Sequence, residues 1–168
     1  MSTALYAPPT HGDLHIESDI STMKVAIAVS DWNPNVTHLM LNEAKQTLLH
    51  YGVQAGNIHI AHVPGSFELV YAAHAFIEGI PTDGAIDAVI VLGCVVRGGT
   101  PHFEYVCQGV TQGIAYLNST AKYPTIFGVL TTDTMEQAEE RANGKTGNKG
   151  AECAVDAIKM IDFVWRLK

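Results

Sequence analysis

The chain has 168 residues, 47% of them hydrophobic and only 16% charged, with 17 acidic against 10 basic side chains and a formal charge of −7. That length suits one domain able to bury roughly 70% of the unfolded chain's surface. No basic run is present, which argues against a nucleic-acid partner, and no apolar run approaches the ~18 residues of a membrane span.

Residues 1–22 read as a flexible N-terminal arm draped on a single domain at 23–168. The arm carries Pro8, Pro9, Asp13, Glu17 and Asp19 and no hydrophobic segment, so a signal peptide is not expected and a cytoplasmic location is. The cysteines Cys94, Cys107 and Cys153 are odd in number and lack a C-x-x-C, as free thiols in a reducing compartment would be. Metal is not expected: His11 and His15 fall in the arm, and His59 and His62 fall on opposite faces of a strand.

Lys24–Ser30 is a β-branched apolar strand, followed by the turn Asp31–Pro34. Trp32 in that turn offers a flat stacking face for a heterocycle, or else packs under the next helix. Val36–Tyr51 has helical apolar spacing, ended by Gly52. Ile58–His62 is a short second strand, and Val63-Pro-Gly-Ser66 turns into a helix over Phe67–Glu78. Glu68 at that helix start either accepts hydrogen bonds from sugar-like hydroxyls or simply favours the helix dipole.

Ala88–Cys94 is a fully apolar strand, as expected when both faces are covered. It leads into Gly98-Gly99-Thr100-Pro101-His102. Thr100 suits an N-cap and Pro101 the first helical position. Glycine backbone N–H groups beside a helix N-terminus form an anion site, with phosphate the commonest occupant. An imidazole at His102, in the first turn, is placed to move protons there. The same segment would also serve as an ordinary strand-to-helix turn, and it matches neither the dinucleotide nor the P-loop pattern.

The long helix Phe103–Lys122 precedes a fourth strand, Thr125–Leu130. Phe127 in it reads first as core. A short helix over Met135–Arg141 ends in Arg141, a residue suited to bidentate phosphate binding or to complementing the helix dipole. Lys145 reads as a solvated loop charge, and a final helix runs over Ala151–Arg166. Strands alternating with helices predict an α/β parallel sheet covered on both faces, with right-handed crossovers and ligands outside the carboxyl ends of the strands.

Four motifs, in order, resemble one family, 6,7-dimethyl-8-ribityllumazine synthase. They are V-P-G-S-F-E at 63–68, L-G-C-V-V-R-G-G-T-P-H-F-E-Y-V at 92–106, P-T-I-F-G-V-L-T-T at 124–132 and E-Q-A-E-E-R-A-N-G-K-T-G-N-K-G at 136–150. The likeness spans about residues 24–165. It implies a flavodoxin-like three-layer sandwich with a four-stranded parallel sheet. It also implies the penultimate step of riboflavin biosynthesis, condensation of 5-amino-6-(D-ribitylamino)uracil with L-3,4-dihydroxy-2-butanone 4-phosphate, without cofactor or metal.

By the resemblance, Trp32 stacks on the pyrimidine, and Ser66, Phe67 and Glu68 line the ribityl pocket. Cys94, Val95 and Val96 present backbone groups. Gly99, Thr100 and Arg141 hold the phosphate, and His102 is the proton shuttle. Phe127 and Lys149 complete the site, with Phe127, Arg141 and Lys149 supplied by the adjacent subunit. The implied partners are small-molecule substrates and other copies of the chain, as pentamers assembled into a sixty-subunit capsid. The absence of an insertion in Thr146–Gly150 resembles the capsid formers. Association with riboflavin synthase is admitted; nucleic acid and membrane are not.

The chain departs from the family pattern in having Trp32 where phenylalanine is commoner, Pro34 before the first helix, and Leu69-Val70 where a proline often follows. None of these removes a chemical group. Two other readings stand beside catalysis, a non-catalytic flavin or pterin binder and a mainly structural shell subunit. His102 and Arg141 speak against the binder, because a neutral ring requires neither.

Overall fold

The four apolar runs form four strands that pair in parallel in the order β2-β1-β3-β4. The computed structural model describes residues 14–80, 86–143 and 147–167. In chain order these hold β1 (Val25–Ser30), α1 (Pro34–Tyr51), β2 (Ile58–Val63), α2 (Leu69–Ile77), β3 (Ala88–Val96), α3 (His102–Thr120), β4 (Thr125–Thr132), α4 (Met135–Asn143) and α5 (Lys149–Arg166). Residues 1–13 of the expected arm, and Lys145 and Thr146, lie outside the described residues.

Side-chain alternation assigns the layers. Val25, Ile27 and Val29 of β1 join Ile90 and Leu92 of β3 in a cluster with α1, α4 and α5. Ala26, Ala28, Val89 and Val91 point the other way, against α2 and α3. Both faces of β1 are buried, which is why its sequence is continuously apolar rather than alternating. The result is a flavodoxin-like α/β sandwich. No helix among the described residues is long and apolar enough to cross a membrane.

Helix starts differ from expectation for local reasons. Asn33 takes the left-handed conformation (φ 58°), which asparagine tolerates, and Pro34 then opens α1 two residues ahead of Val36. Residues 66–68 make a separate turn, with the Leu69 amide on the Ser66 carbonyl at 3.3 Å, so α2 begins at Leu69 instead of Phe67. Pro101 and not Thr100 stands at the cap of α3, with no side-chain capping bond, so the helix begins at His102. Asn148 caps α5 by accepting from the Ala151 amide at 3.0 Å, which brings Lys149 into the helix. Absent side chains permit close approach at two places. A Cβ at Gly109 would lie 2.5 Å from the Phe67 ring, and one at Gly150 would collide with the Met40 carbonyl.

Residues 14–22 pack on the core between α5 and the turn before β2, where Asn57 Nδ2 donates to the Ser21 carbonyl at 3.2 Å. Leu14, Ile16 and Ile20 pack on the core, and the Glu17 and Ser18 amides donate to Asp162 Oδ1 at 3.2 and 3.0 Å. The Ser18 hydroxyl donates to the same oxygen at 2.7 Å, and Arg166 Nε meets Oδ2 at 3.1 Å. Burial pushes the Asp162 carboxyl up, but the bonds from Ser18 and the Arg166 charge outweigh it and hold the group below its ordinary value. A depressed carboxyl stabilises the fold above its unfolded pKa and loses that contribution as pH falls through the folded one. The hydrogen-exchange protection factor at the Ser18 amide should therefore be high above about pH 4 and fall below it, ahead of the protection in β1.

Candidate active site

β1 and β3 lie side by side, but the chain leaves β1 for β2 on one side and β3 for β4 on the other. Such a switch point opens a crevice at the carboxyl ends of the strands. A cavity of about 600 Å³ lies there. The turn after β1 contributes Trp32 and Asn33, and the turn after β2 contributes Gly65, Ser66, Phe67 and Glu68. Cys94, Val95 and Val96 close the floor from β3, and His102, Tyr105 and Val106 stand on α3.

Trp32 is 70% exposed and faces the cavity, so it does not pack under α1. Its turn is pinned by backbone bonds from Asp31 N to the Val63 carbonyl (2.8 Å) and from Trp32 N to the Pro64 carbonyl (3.3 Å). The Asn33 side-chain amide donates to the Cys94 carbonyl at 3.0 Å and ties the turn to β3. Glu68 makes no side-chain capping bond at the start of α2. A Cβ at Gly65 would lie 3.0 Å from Glu68 Oε2 and 3.6 Å from Trp32 Cδ1, so this glycine leaves room for both side chains. Ser66 is buried, and its hydroxyl has no hydrogen-bond partner among the described residues.

The glycine turn is clamped by Arg97. Its Nε donates to Asp133 Oδ1 at 2.7 Å, a second nitrogen pairs with Glu104, and the guanidinium lies 4.2 Å over the Phe103 ring. One side chain thus joins the end of β3, the start of α3 and the end of β4. The hydrogen bond from Arg97, and to a lesser extent its charge, hold the Glu104 carboxyl below its ordinary value. A Cβ on Gly98 or Gly99 would meet nothing within 4 Å, so the space above this turn is open to a ligand. Burial pushes the Cys94 thiol up to about 11, against a smaller opposing effect of Asn33, so it stays protonated at neutral pH and is no nucleophile.

Gly99 and Thr100 lie on the clamped turn outside the cavity lining, and three predicted residues stand apart from it in the same chain. Phe127 lines a second hollow of about 720 Å³ with Tyr123, Asp156, Lys159 and Phe163. Arg141 and Lys149 converge on the buried Glu152, each with a nitrogen 3.4 Å from Oε2. Sequence reasoning missed Asn33, Arg97 and Tyr105. The Asn-Pro dipeptide was a turn signal, and Tyr105 stands one helical turn after His102; nothing local marked Arg97.

A family model described as 6,7-dimethyl-8-ribityllumazine synthase matches residues 22–164. The protein of that name from Bacteroides fragilis is 56% identical over 145 residues, 86% of this chain and 99% of its own length. Its counterpart from Porphyromonas gingivalis is 57% identical over 138 residues, 82% of this chain and 83% of that one. The one from Parabacteroides distasonis is 52% identical over 163 residues, covering 97% and 99%. With the fold, these matches show that the chain belongs to the 6,7-dimethyl-8-ribityllumazine synthase family, enzymes of riboflavin biosynthesis.

Proposed function

We propose that this enzyme condenses 5-amino-6-(D-ribitylamino)uracil with L-3,4-dihydroxy-2-butanone 4-phosphate, releasing phosphate and water. The observation that carries this reading is one cavity with an aromatic plate at Trp32, a carboxylate at Glu68 and an imidazole at His102. The pyrimidine stacks on Trp32 over the backbone of Cys94, Val95 and Val96. The ribityl chain runs along Ser66, Phe67 and Glu68, where the Glu68 carboxylate accepts from its hydroxyls and the Ser66 hydroxyl is unpartnered among the described residues. The phosphate lies on the open turn at Gly99 and Thr100, next to His102.

The chemistry needs an amine to attack a ketone, phosphate to depart as a dianion, and a ring to close. Each step moves a proton, and His102 is the group placed to carry it. Departing charge is stabilised by backbone N–H groups and by Arg141 of a neighbouring copy. Sharing the site between copies is supported by the separation of Arg141, Lys149 and Phe127 from the cavity within one chain. Exposed Tyr71, Tyr105, Tyr116, Ile80 and Phe163 favour such an assembly. We read it as a pentamer, further closed into a sixty-subunit shell; light scattering distinguishes the two by radius.

Mixing the purified protein with both substrates tests the reaction. A growing absorbance in the lumazine band is expected, and its absence alongside tight flavin binding would make the protein a binder. Trp32→Ala should raise KM for the pyrimidine about three- to tenfold with little change in kcat, as loss of one stacking contact would. Trp32→Phe should stay near wild type.

A further inference from the structure

We propose that Asp31, His38 and His62 form a surface site for a divalent transition cation of the zinc class. Three elements deliver the three donors: Asp31 follows β1, His38 stands on α1 and His62 lies near the end of β2. The backbone of two of them is fixed before any side chain is considered. β1 and β2 pair in register Val29 to His62 and Ser30 to Val63, and the Asp31 amide continues the ladder to the Val63 carbonyl at 2.8 Å.

The side chains then converge on one oxygen. His62 Nδ1 lies 2.8 Å and His38 Nε2 lies 3.5 Å from Asp31 Oδ1, and the three donor atoms all fall within 4.8 Å of one another. The imidazole rings stand edge to face, 5.4 Å apart at 85°, so both nitrogens reach the shared point without stacking.

Two imidazoles and one carboxylate are a donor set that zinc accepts, with water in the fourth place. Zinc–ligand bonds of about 2.0–2.1 Å set neighbouring donors about 3.3 Å apart in a tetrahedron. The Asp31–His38 spacing is already close to that, and the Asp31–His62 pair must open by about half an ångström. All three side chains are about half exposed, which leaves them room to adjust and a path for the ion. An ordinary ion pair would use one histidine; this carboxylate has two aimed at it. The bound ion would staple the turn that carries Trp32 to the end of β2, next to the turn that carries Glu68.

The test is calorimetric titration of zinc chloride into untagged, chelator-stripped full-length protein. One zinc per chain is expected. His38→Gln and His62→Gln should each weaken binding by at least about tenfold, since even losing an outer-shell partner costs that much. Asp31→Asn keeps the side-chain shape and should weaken binding to a similar degree. His59→Gln, on the same strand but outside the cluster, should bind zinc as the wild type does. No saturable uptake by the wild type would overturn the site, and so would uptake that survives both substitutions at 38 and 62.

Discussion

Replacing His102 with alanine is expected to lower kcat for the proposed condensation by about 10²–10⁴-fold, the usual contribution of a positioned acid–base group. Turnover should nonetheless remain above the uncatalysed rate. The reason lies in how the work is divided around the cavity. Trp32, Ser66 and Glu68 come from two turns locked to each other and to β3, by the Asp31–Val63 backbone bond and the Asn33–Cys94 bond. Holding two reactants in such a frame can contribute about 7–11 kcal/mol without any proton transfer. Truncation at His102 leaves that frame intact, because Arg97 and not His102 bridges Asp133 and Glu104 across the glycine turn. KM for the pyrimidine should therefore change little. Single-turnover absorbance under saturating substrates checks this, and a variant with no rate above background would mean that His102 also builds the site.

The strands were legible because burial on both faces leaves an unbroken apolar signal, as in Ala88–Cys94. The crevice was legible because four turns follow strand ends, and three of them, Asp31–Asn35, Val63–Glu68 and Val95–His102, carry residues with clear binding chemistry. What escaped was decided by contacts between distant residues. Thr100 looks like a cap in isolation, yet Pro101 takes that place and the helix starts one residue later, at His102. Nothing local marked Glu152, which is buried and held between Arg141 and Lys149. Asn33 and Arg97 act through bonds to Cys94, Glu104 and Asp133 that no spacing rule encodes. The same holds for His38 and His62, which share no motif and meet only because a helix and an edge strand flank the same turn.

Arg141→Ala is expected to raise KM for the phosphate-bearing substrate about 10- to 150-fold, the equivalent of losing a hydrogen bond to a charged group worth about 1.5–3 kcal/mol. KM for the pyrimidine should stay near wild type. Lys149 remains against Glu152, so the buried carboxylate keeps one cation and the α4–α5 junction is not left with an unpaired charge. Within one chain Arg141 lies apart from the cavity that holds His102, and that separation permits a sharper experiment. If each site joins His102 of one copy to Arg141 of the next, the His102→Ala and Arg141→Ala proteins have complementary defects. Dissociated and reassembled at equal ratio, they should regain roughly a quarter of the wild-type activity at low phosphate-substrate concentration, because chance places two intact contributors at that share of interfaces. Assay of the mixture before and after reassembly reads this directly. Activity that never rises above the mean of the two parents would mean that each chain completes its own site, and that Arg141 must then reach the turn at Gly99 through a rearrangement of α4.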